Sequence, residues 1–232
     1  MSAGPPEEPP VVDPTARLTY EGELLGDDVT GAPLPWVARW YKEAEADERV
    51  VEPGAMVVAT VDADGRPDAR TVLLKALSAE GFTFFTNTRS AKGQQLAATP
   101  YASLVLLWHP MYRQVRVRGR VEPTSTAEAA RYFASRPRGS QVATRASRQS
   151  QPIGSRAELE ARVAAEEARW PDTASPDDVP APSTWGGYLV RPDVVELWVG
   201  QRSRLHDRIV FVRTGRGDMD DARSWRTTRL QP

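Results

Sequence analysis

Ala55-Met-Val-Val-Ala-Thr-Val-Asp-Ala-Asp-Gly-Arg-Pro-Asp-Ala-Arg-Thr-Val-Leu-Leu-Lys75 is the stretch that decides the architecture. Two β-prone runs, 55–61 and 70–75, flank Asp62-Ala-Asp-Gly65, a hairpin-type turn in which Gly65 can take positive φ. Further β-rich runs follow at hairpin spacing, over 82–86 and 102–108. Arg113 to Val121 alternates. Gln114, Arg116, Arg118 and Arg120 share one face, and Val115, Val117, Gly119 and Val121 the other. Strands are expected again over 187–190, 194–199, 209–213 and 225–230. Many short strands with turn signals between them predict an antiparallel sheet or barrel.

Helices punctuate the strands. Pro35 suits a first helical turn, and Trp36, Val37, Trp40, Tyr41 and Ala44 fall on one face of a helix over 34–46. Ser90 opens a short helix that stops before Pro100. Ser125 with Glu128, and Ser155 with Glu158, are capping boxes, the second opening a helix to about Arg169. Ser140 and Ser147–Pro152 read as loop, as does the Pro- and Asp-rich segment 171–183. Residues 1–14, rich in Pro and Glu, read as a disordered tail. The expectation is one α+β domain over 15–232, built on an antiparallel barrel.

Composition narrows the chemistry. Thirty Lys and Arg against thirty-one Asp and Glu give a net charge of −1, which argues against a general nucleic-acid coater or a polybasic membrane binder. The absence of Cys excludes disulfides, thiolate metal sites and a Cys nucleophile. Two histidines, His109 and His206, are too few for an imidazole-built metal centre, so no metal is expected. Apolar runs fall far short of the roughly 18–20 residues needed to cross a bilayer. The N-terminal segment lacks the basic and apolar regions of a signal peptide. The expected compartment is the cytoplasm.

Familiar phosphate, zinc and nucleophile-elbow motifs are absent. What remains is a set of polar residues oddly placed for a structural protein. Arg70-Thr-Val-Leu-Leu-Lys75 holds two cations around an apolar centre; an unbroken strand puts them on opposite faces, and the run also fits a strand with charged ends. Phe85-Thr-Asn-Thr-Arg-Ser-Ala-Lys92 leads into a helix N-terminus, an anion site or simply a capped helix. Tyr132, Arg136 and Ser140 suit a phosphate monoester, or a basic helix end complementing the dipole. The polar loop Ser147–Pro152 is a weak signal. Trp198, Arg204, His206 and Arg208 cluster beside a strand and are poor core material, although a lone histidine is by default a buried structural one.

Taken in order, R-T-V-L-L-K, F-F-T-N, R-Q-V, Y-F-x-S-R-P-R-x-S-Q, S-x-Q-S, W-G-G-Y, the E-L-W segment and R-L-H-D-R resemble the pyridoxine/pyridoxamine 5′-phosphate oxidase family, from about Arg17 to Pro232. The resemblance implies a split β-barrel homodimer with FMN at two sites between subunits. It also implies an oxidase acting with O2 on phosphorylated B6 vitamers, with no nucleic-acid or membrane partner. By matching position, FMN contacts are Arg70, Thr71, Val72, Leu73, Leu74, Lys75, Phe85, Thr86, Lys92, Gln114, Gln149, Ser150, Trp198 and Arg208. Substrate contacts are Lys75, Tyr132, Arg136, Ser140, Arg204, Leu205 and His206, with Arg17 and Tyr20 from a segment that closes over the substrate. Arg204 and His206 take the catalytic positions. Three residues depart from the pattern. Ala91 stands where many members carry Arg, which leaves Arg89 as a possible replacement. Leu197 and Val199 stand where Phe and Gln are expected, and are expected to touch the flavin's surroundings. Two rival readings are a split-barrel flavoprotein with another redox substrate, and a non-catalytic binder of flavin, pyridoxal phosphate or RNA.

Overall fold

A computed structural model describes residues 19–175 and 178–232. Arg17 and the 1–14 tail lie outside the described residues. Helix α1 (Pro33–Ala46) starts on its proline and buries Val37, Trp40 and Ala44. Strands β1 (Ala55–Val61) and β2 (Pro67–Leu73) form the expected hairpin, from Ala55 opposite Leu73 to Val61 opposite Pro67. The Asp62 carboxylate accepts the N–H groups of Asp64 and Arg66, and Gly65 takes φ +79°.

The run 70–75 is not one strand. Leu74 N–H donates to Gly54 O, while Lys75 N–H donates to Thr83 O. Consecutive donors thus bond to different partners, and the chain bends between them. The parity argument for Arg70 and Lys75 fails at that bend. The chain continues through β3 (Ala76–Leu77), β4 (Phe82–Asn87), α2 (Ala91–Ala98), β5 (Tyr101–Trp108) and β6 (Arg113–Pro123). In β6 the alternation holds: Val115, Val117, Gly119 and Val121 are buried, and Arg116, Arg118 and Arg120 are exposed.

Helix α3 (Thr126–Ala134) is capped by Ser125, and α5 (Arg156–Arg169) by Ser155. Between them lies α4 (Arg138–Ala146), which places Ser140 on a helix rather than in a loop. Pro137 precedes this helix with φ −53° and supplies no side-chain cap, so the usual polar start signal is missing. Strands β7 (Trp185–Val199), β8 (Asp207–Arg213) and β9 (Trp225–Leu230) complete the chain.

β7 is one strand of fifteen residues, not the two expected around Pro192. Gly119 pairs with Pro192 and Arg118 with Val194, with a register shift between them. A bulge there accommodates the residue that has no N–H. The backbones approach so closely that a Cβ on Gly119 would lie 1.9 Å from Arg191 O. Gly119→Ala is therefore expected to cost about 3 kcal/mol or more, read by urea unfolding; an unchanged midpoint would mean the crossing can open.

All ladders are antiparallel, in the order β2-β1-β5-β6-β7-β4-β3, with β8 on β7 and β9 on β8. β6 runs along one side of β7. On the other side β4 takes residues 185–190 and β8 takes 194–199. One edge of β7 is thus shared by two strands, and the sheet splits and curls into a half-barrel. Val58, Leu104, Leu106, Val117, Val195 and Phe211 fill its inside. A smaller cluster of Phe133, Val142 and Val179 packs with Trp170 and Trp185 under α3, α4 and α5. Among the described residues no helix is long and apolar enough to cross a membrane.

Candidate active site

Two groups of side chains stand near opposite ends of β7. The first lines a cleft of about 350 Å³ that includes Phe85, Thr86, Arg136, Ser140, Gln149 and Trp185. Ser90 caps α2 by accepting the Gly93 N–H, and the following turn buries Lys92. Lys92 Nζ lies 3.1 Å from Gln149 Oε1, 3.3 Å from Thr86 Oγ1 and 3.5 Å from Ser90 Oγ. Burial, and then the nearby Arg70 cation, hold its pKa below the ordinary lysine range. Arg70 is fixed by Thr60 Oγ1 at 2.5 Å, Gln95 Oε1 at 3.1 Å and the Asp68 carboxylate.

Above this cradle an aromatic stack forms. The Phe85 and Tyr132 rings are 4.3 Å apart at 21°, and Trp185 lies 6.2 Å from Tyr132 at 17°. Gly187 makes room for it, since a Cβ there would sit 2.6 Å from the Phe85 ring. Lys75 Nζ is 6.0 Å from the Tyr132 centroid. The Arg136 guanidinium lies 4.5 Å over Trp185 and donates to Thr144 Oγ1 at 2.7 Å. Burial lowers its pKa from the ordinary value, yet arginine stays charged at any physiological pH. Neither Lys92, Arg136 nor Lys75 has a carboxylate partner among the described residues. Arg136 and Lys75 lie against the aromatic rings, and Lys92 lies beside Thr86 and Gln149 of the same cleft; cations and flat rings arranged in this way suit a phosphate ester that carries a planar ring.

The remaining first-group residues are less engaged. Thr71, Val72 and Leu73 lie on β2, an edge strand, and Leu74 is buried in the core. Ser150 is exposed with φ +71°.

The second group is a row across three strands. Gln114 pairs with Trp198, and Trp198 with Arg208. The His206 ring sits 4.8 Å from Trp198, and Tyr20 stands edge-on to both at 5.9 and 6.1 Å. His206 Nδ1 accepts the Gln201 N–H at 3.0 Å, which leaves the proton of the neutral ring on Nε2. Burial and then Arg204 push its pKa down, so the ring is neutral at pH 7. Arg204 and Leu205 are exposed; Ser203 and Arg204 both take left-handed backbone, φ +55° and +63°. The Tyr20 segment is tied down by Gly22 N–H to Gly200 O at 3.0 Å and Leu25 N–H to Asp207 Oδ2 at 2.9 Å.

Arg208 is anchored from below. Its Nε donates to Glu196 Oε1 at 2.8 Å, and the buried Glu196 also pairs with Arg116. Leu197 and Val199 are buried in the core, flanking the half-exposed Trp198 and pointing to the opposite face. Alternation along β7 therefore turns both side chains into the core, away from the face that carries Trp198. Arg89 is exposed, with its N–H on Asn87 Oδ1.

One protomer does not bring the two groups together. Trp185 and Trp198 are thirteen residues apart along β7, about 40 Å of strand at roughly 3.3 Å per residue. Glu196, Gln95, Thr144 and Trp185 were missed as site residues. Trp185 had a signal in W-G-G-Y; Thr144 had none.

The fold and the paired half-sites define a split-barrel protein. Residues 43–169 match the family described as "Pyridoxamine 5'-phosphate oxidase", and 185–232 the "Pyridoxine 5'-phosphate oxidase C-terminal dimerisation region". A pyridoxine/pyridoxamine 5′-phosphate oxidase of Kineococcus radiotolerans is 49% identical over 95% of this chain and 99% of its own length. One from Burkholderia multivorans is 49% identical over 93% and 97%. PhzG from Burkholderia lata, solved with tetrahydrophenazine-1-carboxylic acid, superposes with a TM-score of 0.80 at 29% identity, over 91% of this chain and 99% of that one. A pyridoxamine 5′-phosphate oxidase-related, FMN-binding protein of Nostoc punctiforme shares the fold, with a TM-score of 0.65 at 18% identity, over 86% and 97%. This chain belongs to the pyridoxine/pyridoxamine 5′-phosphate oxidase family and is an oxidoreductase of that family.

Proposed function

We propose that this protein is a pyridoxal 5′-phosphate synthase that works in the cytoplasm in vitamin B6 salvage. Pyridoxine 5′-phosphate and O2 give pyridoxal 5′-phosphate and hydrogen peroxide. Pyridoxamine 5′-phosphate, O2 and water give the same two products and ammonia. The observation that carries this reading is the set of cations without ion-pair partners among the described residues, Arg136 and Lys75 against the aromatic stack and Lys92 beside Thr86 and Gln149.

The cofactor is FMN, and the residues fit it. A buried lysine surrounded by hydroxyl and amide groups, with Arg70 beside it, is a costly arrangement unless an anion arrives. Arg70 to Lys75, Phe85, Thr86, Lys92, Gln149 and Ser150 of one protomer would hold it, with Gln114, Trp198 and Arg208 of a second. When bound, the flavin supplies two-electron acceptance and reoxidation by O2. The protein's own residues bind and orient. Arg136, Ser140, Lys75 and Tyr132 take the substrate phosphate and fix the ring, with Tyr20, Arg17, Arg204 and Leu205 enclosing it. His206, neutral, offers the substrate an Nε2–H donor without adding charge.

The separation of the half-sites along β7, with 185–232 matching a dimerisation region, supports a homodimer in which each site takes one group from each protomer. The likeness to PhzG supports a second reading, oxidation of a reduced phenazine carboxylate. One experiment separates them. The purified protein is checked for flavin absorbance, then given pyridoxine 5′-phosphate or a reduced phenazine carboxylate in air. Stoichiometric peroxide and pyridoxal 5′-phosphate with the first substrate are expected; turnover of the second alone would reverse the assignment.

A further inference from the structure

We propose that Thr144 is a positioning residue that aims Arg136 at the phosphate of the substrate, and so sets the preference for phosphorylated over unphosphorylated rings. This rests on the function proposed above. Thr144 follows Ser140 by four residues, one helical turn along α4. Its hydroxyl donates to Ser140 O at 2.8 Å and accepts from Arg136 Nη1 at 2.7 Å. The first bond fixes the Thr144 rotamer, and the second fixes the in-plane rotation of the guanidinium.

Trp185 sets the remaining degree of freedom. Its indole supports one face of the guanidinium and is itself held by Nε1–H to Ala129 O at 3.1 Å and by the Phe133 edge at 5.5 Å. A guanidinium has five N–H donors. Thr144 takes one, so four stay available on a plane of fixed orientation, the condition for a two-pronged grip on phosphate.

The choice of a hydroxyl is informative. Arg145, on the same helix, lies 2.9 Å from the Glu166 carboxylate and stacks on Trp170. That arginine is held by a charge that neutralises it. Arg136 is held by a neutral group instead. A carboxylate would restrain Arg136 equally well but would compete with the incoming phosphate and weaken its binding. A threonine hydroxyl orients the cation and leaves its charge intact.

The test uses full-length, FMN-loaded enzyme with Thr144→Val, Thr144→Ala, Thr144→Ser and Arg136→Ala. Removing a hydrogen bond to a charged group predicts a KM for pyridoxine 5′-phosphate about 10-fold higher in Thr144→Val and Thr144→Ala, with kcat within about twofold. The dissociation constant for pyridoxal 5′-phosphate should rise in parallel, while FMN content and KM for unphosphorylated pyridoxine stay unchanged. Thr144→Ser, which keeps the hydroxyl, should return KM to within about twofold of the parent. The alanine variant, a good helix former, covers the case in which valine disturbs α4. If KM is unmoved in both hydroxyl-free variants but rises in Arg136→Ala, the role of Thr144 is overturned and the proposed function stands. A loss of kcat and FMN together, unrescued by serine, also overturns it. If Arg136→Ala leaves KM unchanged, the phosphate reading of the cleft falls first.

Discussion

Lys92→Met is expected to purify nearly colourless, with FMN held about 100-fold or more less tightly. Lys92 Nζ is buried among Thr86, Ser90 and Gln149 with no ion-pair partner among the described residues, and the Asp68 carboxylate, paired to Arg70, only partly offsets its charge. The cation is preorganised for an anion and only partly compensated without one. Methionine keeps the length and the packing; it removes the charge and the Nζ hydrogen bonds, while Gln149 Oε1 keeps the bond it accepts from Thr86 Oγ1. The flavin-free variant should therefore be more stable than the flavin-free parent, by about 1 kcal/mol in urea. The two effects have opposite signs, which a merely damaged protein would not show. A pH dependence follows. Folding lowers the Lys92 pKa, so the unfolded chain holds the extra proton and flavin-free stability climbs as pH rises toward the ordinary lysine value. Lys92→Met should lose that climb. Flavin affinity unchanged in Lys92→Met would place the FMN phosphate elsewhere.

Two inactive variants should restore each other. Lys92 belongs to the first group and Arg204 to the second, near opposite ends of β7. Arg204→Ala is expected to keep its flavin and lose most of its turnover. In a heterodimer of the two variants, one composite site carries both defects and the other carries neither. Random pairing makes half the dimers mixed, each with one of its two sites intact, so co-expression should recover about a quarter of parental activity. A site complete within one protomer gives no recovery at all, since every protomer is defective. Differently tagged copies purified in tandem raise the expected yield to about half per dimer.

The legible part of this fold was the part with local causes. The 55–61 strand, the Gly65 turn, the β6 alternation and the serine-capped helices depend on periodicity and on bonds between near neighbours. The errors share one origin. Strand 70–75 breaks because consecutive N–H groups find distant acceptors at Gly54 and Thr83. β7 runs through Pro192 because Gly119, far away in sequence, lets the strands cross at a bulge. Helix α4 follows Pro137, which supplies no polar cap, so nothing local announced it.

The candidate site divides in the same way. Order and identity of the motif residues, together with family membership, were legible in the chain because side-chain chemistry is written there directly. Which residues face one another was not. The Gln114–Trp198–Arg208 row depends on strand register over more than 80 residues, and Arg136 acquires its orientation from Thr144 and Trp185 only when α3 packs on β7 and the Phe133–Val142 cluster closes on Trp185. Residue types and their order determined the family and the cofactor class; register and packing decided which cations lack an ion-pair partner among the described residues and where they point. The reason is physical: propensity acts over a few residues, whereas the neighbours that set orientation and desolvation arrive from anywhere in the chain.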